Sequence, residues 1–131
     1  MKILYPLAKR FIAGHDFESA KQSIDELLCD GFEISVDYLG ELSSTLKDCD
    51  KATEQYLEIV RHYNYQPINI SIKPSQLGLL IDSEVCYQNL EKICKPANKY
   101  GHTIRLDMED SRVTQKTIDY AISLNKKYQN V

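Results

Sequence analysis

The chain has 131 residues, 43% of them hydrophobic and 27% charged, a balance that suits one globular domain and excludes a disordered tail or a membrane span. Sixteen basic against nineteen acidic residues leave a net charge of −3, and no basic run exceeds two residues, so nothing attracts a nucleic-acid backbone. Nine Tyr and three Phe without Trp form no base-stacking pattern.

The opening segment, Met1 to Ala8 before Lys9-Arg10, is too short for a secretory signal and lacks a cleavage site, and no stretch approaches the roughly 20 apolar residues of a membrane helix. The expected compartment is the cytoplasm. Cysteines at 29, 49, 86 and 94 match neither a paired zinc motif nor a Cys-x-x-Cys redox pair, and read as reduced, mostly buried thiols. His15, His62 and His102 have no metal spacing and read as surface or capping residues; no metal site is expected.

In chain order, Asp16 is a good N-cap for a first helix whose apolar stripe is Phe17, Ala20, Ile24, Leu27 and Leu28, and Gly31 stops it. Residues 32–39 alternate as a strand before Gly40. A second helix starts near Ser43 or Ser44 with Leu42, Cys49, Ala52, Tyr56, Ile59, Val60 and Tyr63 as its stripe, and cannot continue past Pro67. Residues 67–73 form the second strand, with Ile68, Ile70 and Ile72 on one face and Pro74 ending the ladder. Asp82 caps a third helix, Pro96 should kink or interrupt its last turn, and Gly101 ends it. Residues 102–108 form the third strand. Thr114 opens a last helix carrying Ile118, Ala121, Ile122 and Leu124.

Strands alternating with helices every 35 residues or so argue for βαβ units, a parallel sheet and right-handed crossovers. Three units leave one sheet edge bare, with Ile104 and its neighbours poorly covered. Each strand ends in an ionisable residue, Asp37, Lys73 or Asp107, and these share the carboxyl rim on which ligand sites of parallel sheets form. Adjacent strands lie about 4.8 Å apart, so Lys73 and Asp107 come within contact range if their strands are neighbours. Such a pair is either a binding site or a structural salt bridge. Asp37 reads as a turn or capping acid or a third member, Glu109 and Asp110 as cap and loop acids, and Tyr56, Tyr63, Tyr100 and Tyr120 as packing residues. No Gly-x-Gly-x-x-Gly or P-loop motif is present.

Four segments carry a resemblance: Arg10-Phe11-Ile12-Ala13-Gly14, Val36-Asp37-Tyr38-Leu39-Gly40-Glu41, residues 71–79 around Ser71-Ile72-Lys73-Pro74, and residues 105–111 around Arg105-Leu106-Asp107-Met108. In their order and content the chain resembles the amino-terminal part of the flavin-dependent proline dehydrogenase family, in its small single-function bacterial type. The resemblance implies an α/β fold that is the N-terminal part, about three β/α units, of a (β/α)8 TIM-like barrel holding FAD at the carboxyl ends of its strands. It further implies that Lys73 pairs with the carboxylate of L-proline, that Asp107 is the active-site aspartate beside substrate and flavin, and that Met108 lines the flavin. The implied reaction moves a hydride from proline C5 to the flavin, giving 1-pyrroline-5-carboxylate, with electrons passing to a membrane quinone from a protein that is cytoplasmic or peripheral at the inner membrane.

Against the family, residues 1–131 read as a truncated barrel domain that lacks the later arginines of the substrate clamp. The expectation is that it does not hold FAD or oxidise proline unless another polypeptide completes the barrel. A second reading is a non-catalytic remnant that associates through its open edge with itself or a partner. A third, a flavodoxin-like binding domain, lacks a phosphate loop and has too few strands.

Overall fold

The computed structural model describes residues 12–40 and 42–131. Arg10-Phe11 of the first family segment and Glu41 of the second lie outside the described residues. The chain divides into two compact units, residues 1–34 and 35–131.

In the first unit, helix α1 spans Phe17–Cys29. Asp16 accepts the Ser19 N–H at 2.8 Å while Ser19 Oγ accepts the Asp16 N–H at 3.2 Å, a reciprocal cap that satisfies otherwise orphaned donors. At the other end Gly31 takes φ 85°, so that its N–H reaches the Leu28 carbonyl and the Phe32 N–H the Leu27 carbonyl. Phe17 and Ile24 are buried as the stripe requires, whereas Leu27 is exposed.

The second unit holds the sheet. Its elements are β1 (Ser35–Asp37), α2 (Leu46–His62), β2 (Asn69–Ile72), a 3-10 turn (Pro74–Leu77), α3 (Ser83–Lys99), β3 (Thr103–Leu106) and α4 (Thr114–Tyr128). The strands are parallel in the order β1-β2-β3, with Asp37 opposite Ser71 and Ile72 opposite Leu106. All three are shorter than alternation predicts, because a strand is counted only where a neighbour takes its backbone groups and β2 offers four residues. Thr45 rather than Ser43 or Ser44 caps α2, through a reciprocal pair with Asp48. Leu42 is exposed and lies outside the stripe. Asp82 caps α3 as expected. Pro96 does not interrupt that helix, which runs on to Lys99: in the last turn the missing N–H removes one backbone bond only, and Gly101 at φ 77° closes the end in the manner of Gly31. On α4, Leu124 is buried but Ile122 is half exposed.

The two sheet faces differ sharply. One carries Val36, Ile70, Ile72 and Ile104, the last three fully buried, with α2 against α3 and α3 against α4 as the covering layer. The other carries Ser35, Asp37, Asn69, Ser71, Thr103 and Arg105, and is knitted by hydrogen bonds such as Ser35 Oγ to Asn69 Oδ1 at 2.7 Å. Lys73 belongs by its strand parity to this polar face, opposite to the isoleucines that precede it.

The expectation of a poorly covered Ile104 is overturned. Its side chain is 1% exposed, and its N–H, which points away from β2, donates to the Asn130 carbonyl at 2.7 Å. The Asn130 side chain fixes this arrangement by donating to the Cys94 and His102 carbonyls, both at 3.2 Å.

His102 is likewise a core residue and not a surface or capping one. Its Nδ1 accepts the Ile68 N–H at 3.2 Å and its Nε2 donates to the Val60 carbonyl at 3.1 Å, which defines a neutral ring that ties β2 and α2 together. Burial pushes its pKa down, against the opposing effect of the Val60 carbonyl. The unfolded chain therefore takes up the proton first. Stability should be at its full value above the unfolded-state pKa of about 6.5, fall as pH drops through it, and level off below the folded-state value. Urea midpoints measured between pH 8 and 5 test this: His102→Phe should flatten that part of the profile, and an unaltered slope in the variant would show that other groups carry it.

Candidate functional site at the carboxyl rim

The carboxyl ends of the three strands bring Asp37, Lys73 and Asp107 together. Lys73 Nζ donates to both oxygens of Asp37, at 2.6 and 2.8 Å, and lies 3.5 Å from Asp107 Oδ2. Proximity of Lys73 and Asp107, expected from the strand spacing, is observed, but the shorter partner is Asp37. The turn or capping reading of Asp37 is thereby replaced by a charge pair. The three side chains are each about a quarter to a third exposed, at 27%, 28% and 34% for Lys73, Asp107 and Asp37. A dissolved ligand can reach them.

Asp107 is held from the other side. Its Oδ1 accepts the Ser71 hydroxyl at 2.7 Å and faces Arg105 Nε at 3.4 Å, while Arg105 Nη2 also donates to Ser71 Oγ at 3.2 Å. Burial works to raise the Asp107 pKa, but the Ser71 hydrogen bond, the Lys73 charge and the Arg105 contact together hold it below the usual carboxylate range. For Lys73, burial works to lower the pKa, and the Asp37 hydrogen bond and charge, followed by those of Asp107, outweigh it and leave the ammonium above its ordinary value. Both groups are ionised at neutral pH.

The loops that carry the rim are bound to one another by side chains that the sequence reading passes over. Gln76, 1% exposed, accepts the Tyr56 hydroxyl at 2.7 Å and donates to the Tyr38 and Gly40 carbonyls, both at 3.0 Å; its own carbonyl accepts Ser43 Oγ at 2.6 Å. This one amide fixes the β1–α2 loop to the 3-10 turn that follows Lys73. Tyr56 packs, as expected, edge-on to Tyr38 with ring centroids 5.9 Å apart, and also supplies this polar contact. Glu109 is not a helix cap: its carboxylate accepts the Ser75 N–H at 2.9 Å and the Ser75 hydroxyl, joining the β3–α4 loop to the same turn. Asp110 does act within its loop, through Arg112. Met108 follows Asp107 beyond β3 and is 56% exposed.

Ser71 and Asn69, alternating with the three isoleucines, are a signal in the sequence that β2 has a polar face. Gln76 has no such signal, since its partners come from residues 38, 40, 43 and 56. Among the cysteines, Cys49, Cys86 and Cys94 are buried and Cys29 is exposed; burial pushes the Cys86 and Cys94 thiols up to about 12 and leaves them unreactive. Among the described residues no group of three or more His, Cys, Asp and Glu is placed to hold a metal ion, and no helix is long and apolar enough to cross a membrane.

A parallel sheet, helices on its apolar face and a lysine between two carboxylates at its carboxyl rim define an α/β protein with a rim site suited to small charged ligands. The chain matches the family described as Proline dehydrogenase over residues 20–130, and it belongs to the proline dehydrogenase family. It is 34% identical over 126 residues to proline dehydrogenase 2 of Bacillus subtilis strain 168, a match that covers 95% of this chain and 42% of that protein. Proline dehydrogenase 1 of the same strain is 25% identical over 126 residues, with the same coverage. The proline dehydrogenase of Deinococcus radiodurans is 31% identical over 121 residues, covering 88% of this chain and 39% of that protein. The chain thus spans about two fifths of the length of the curated relatives it matches.

Proposed function

We propose that residues 1–131 supply about three β/α units of a (β/α)8 barrel that oxidises L-proline, together with the part of its site that holds the substrate carboxylate. The observation that carries this reading is Lys73, ion-paired with Asp37 on the carboxyl rim of a parallel sheet, in a chain of the proline dehydrogenase family. A lysine ammonium neutralises a carboxylate as a point charge. Its support is stiff: Pro74 follows it, and its own carbonyl accepts the Gln76 N–H at 3.0 Å.

The rim residues fit both substrate and FAD. Asp107 is held ionised by Ser71, Lys73 and Arg105, and serves to orient the ring of the bound amino acid. Next to it the exposed thioether of Met108 offers an adaptable apolar surface for a planar ring. FAD, when bound, supplies the hydride acceptor. Oxidation removes a hydride from proline C5 and a proton from the ring nitrogen, leaving the C=N bond of 1-pyrroline-5-carboxylate. Lys73 and Asp107 contribute by fixing the ring, so that C5 has a defined place. The electrons pass on to a membrane quinone, which a cytoplasmic protein reaches by peripheral contact with the inner membrane. A non-catalytic remnant is less favoured, because the relatives named above are proline dehydrogenases and Asn130 already takes one position on the β3 edge.

The complete native polypeptide that carries this chain, purified with FAD and mixed with L-proline in the absence of oxygen, should lose its visible flavin absorption. A band that persists at saturating proline would refute the assignment.

A further inference from the structure

We infer that Asp37 is the positioning residue for Lys73: it holds the ammonium at the rim and off Asp107, so that one N–H stays directed at an incoming carboxylate. The inference rests on the reading of Lys73 as the carboxylate-binding residue.

The argument begins with the donors. An ammonium has three N–H groups and sits on a flexible four-carbon stem, so its place is set by its partners. Asp37 receives it through both oxygens at 2.6 and 2.8 Å, whereas Asp107 Oδ2 stands at 3.5 Å, the limit of a hydrogen bond. Asp107 has other partners besides this contact, since its other oxygen is engaged by Ser71 and faces Arg105. The hydrogen bonds to the Asp37 side chain, among the described residues, come from Lys73. Asp37 is thus committed to the lysine and Asp107 is not. The loosely held donor is the one toward Asp107, and a ligand carboxylate can take it without dislodging Asp37.

The charged and titratable groups around the ammonium come from three elements: Asp37 on β1, Asp107 with Arg105 on β3 and the loop beyond it, and from α2 the Tyr56 phenol, which burial pushes up and keeps neutral. In an Asp37→Asn variant the lysine loses its closest anion and its fixed position, and turns to Asp107. Proline must then displace Asp107 from the ammonium.

The test uses the complete native polypeptide with FAD, brief acetylation by acetic anhydride at pH 8, and mass spectrometry of Lys73 against Lys116 on α4 as internal reference. Asp37→Asn should acetylate Lys73 at least about threefold faster, because an ammonium left with one neighbouring carboxylate instead of two yields more free amine. Asp37→Glu, which keeps the charge on a longer arm, should stay within about twofold of the native rate. The KM for proline should rise about tenfold in Asp37→Asn with kcat changed far less, a split that general destabilisation does not produce. L-proline should slow acetylation of Lys73 in the native protein. A native acetylation rate in Asp37→Asn, with proline still protecting Lys73, overturns the inference and spares the reading beneath it. Absence of protection by proline in the native protein overturns that reading and the inference together. If Asp37→Asn does not fold, Asp37→Glu decides: retained slow acetylation with a raised KM supports the positioning role, and an unchanged KM ends it.

Discussion

Lys73→Ala, introduced into the complete polypeptide, should raise the KM for L-proline about 10- to 100-fold, the loss expected when a charged hydrogen-bond donor to a carboxylate is removed. The fold should survive, because Lys73 is part exposed and the loops of the rim are joined by Gln76 and Glu109 and not by the lysine. Lys73→Arg should restore only part of the affinity. The guanidinium is a planar fork that favours side-on pairing with one carboxylate, and it does not reproduce a compact ammonium shared between Asp37 and Asp107. Steady-state kinetics with proline as the varied substrate read both variants, and an unaltered KM in Lys73→Ala would remove the carboxylate role.

Gln76→Leu should be the most destabilising substitution near the site. Leucine supplies apolar bulk but neither donor nor acceptor, so the buried Tyr56 hydroxyl and the part-buried Tyr38 and Gly40 carbonyls all lose their partner. Each stranded group costs about 1–3 kcal/mol, and the sum should reach about 3 kcal/mol or more. Tyr56→Phe, which removes one bond and keeps the ring, should cost about 1 kcal/mol. Urea denaturation followed by circular dichroism gives both values. A loss below about 1 kcal/mol in Gln76→Leu would mean that the loop rearranges or that water replaces the amide.

The helices are legible because their ends are written locally. Asp16 and Asp82 cap the helices they precede, and Gly31 and Gly101 supply the left-handed turns that close them. Strand lengths are not local, since pairing needs a neighbour, and residues 32–34 alternate as a strand does but stand outside the ladder. The rim follows from topology: once three parallel strands each end in an ionisable residue, Lys73 must stand near Asp107. That Asp37 is the closer partner depends on where the lysine stem turns, which spacing leaves open. His102, misread as a surface or capping residue, and Gln76, passed over, are the most instructive. Each is a polar residue that joins elements 20 to 42 positions away in the chain, and burial of such a residue becomes intelligible only when all its partners are known.

The polar face of the sheet bears two cations, Lys73 and Arg105, and two carboxylates, Asp37 and Asp107, each within 3.5 Å of a group of opposite sign. Together they have no net monopole, so their field fades within a few ångströms of the rim and gives no distant attraction to a charged solute. Capture of a small zwitterion here is a matter of short-range fit, and its rate should be nearly indifferent to ionic strength.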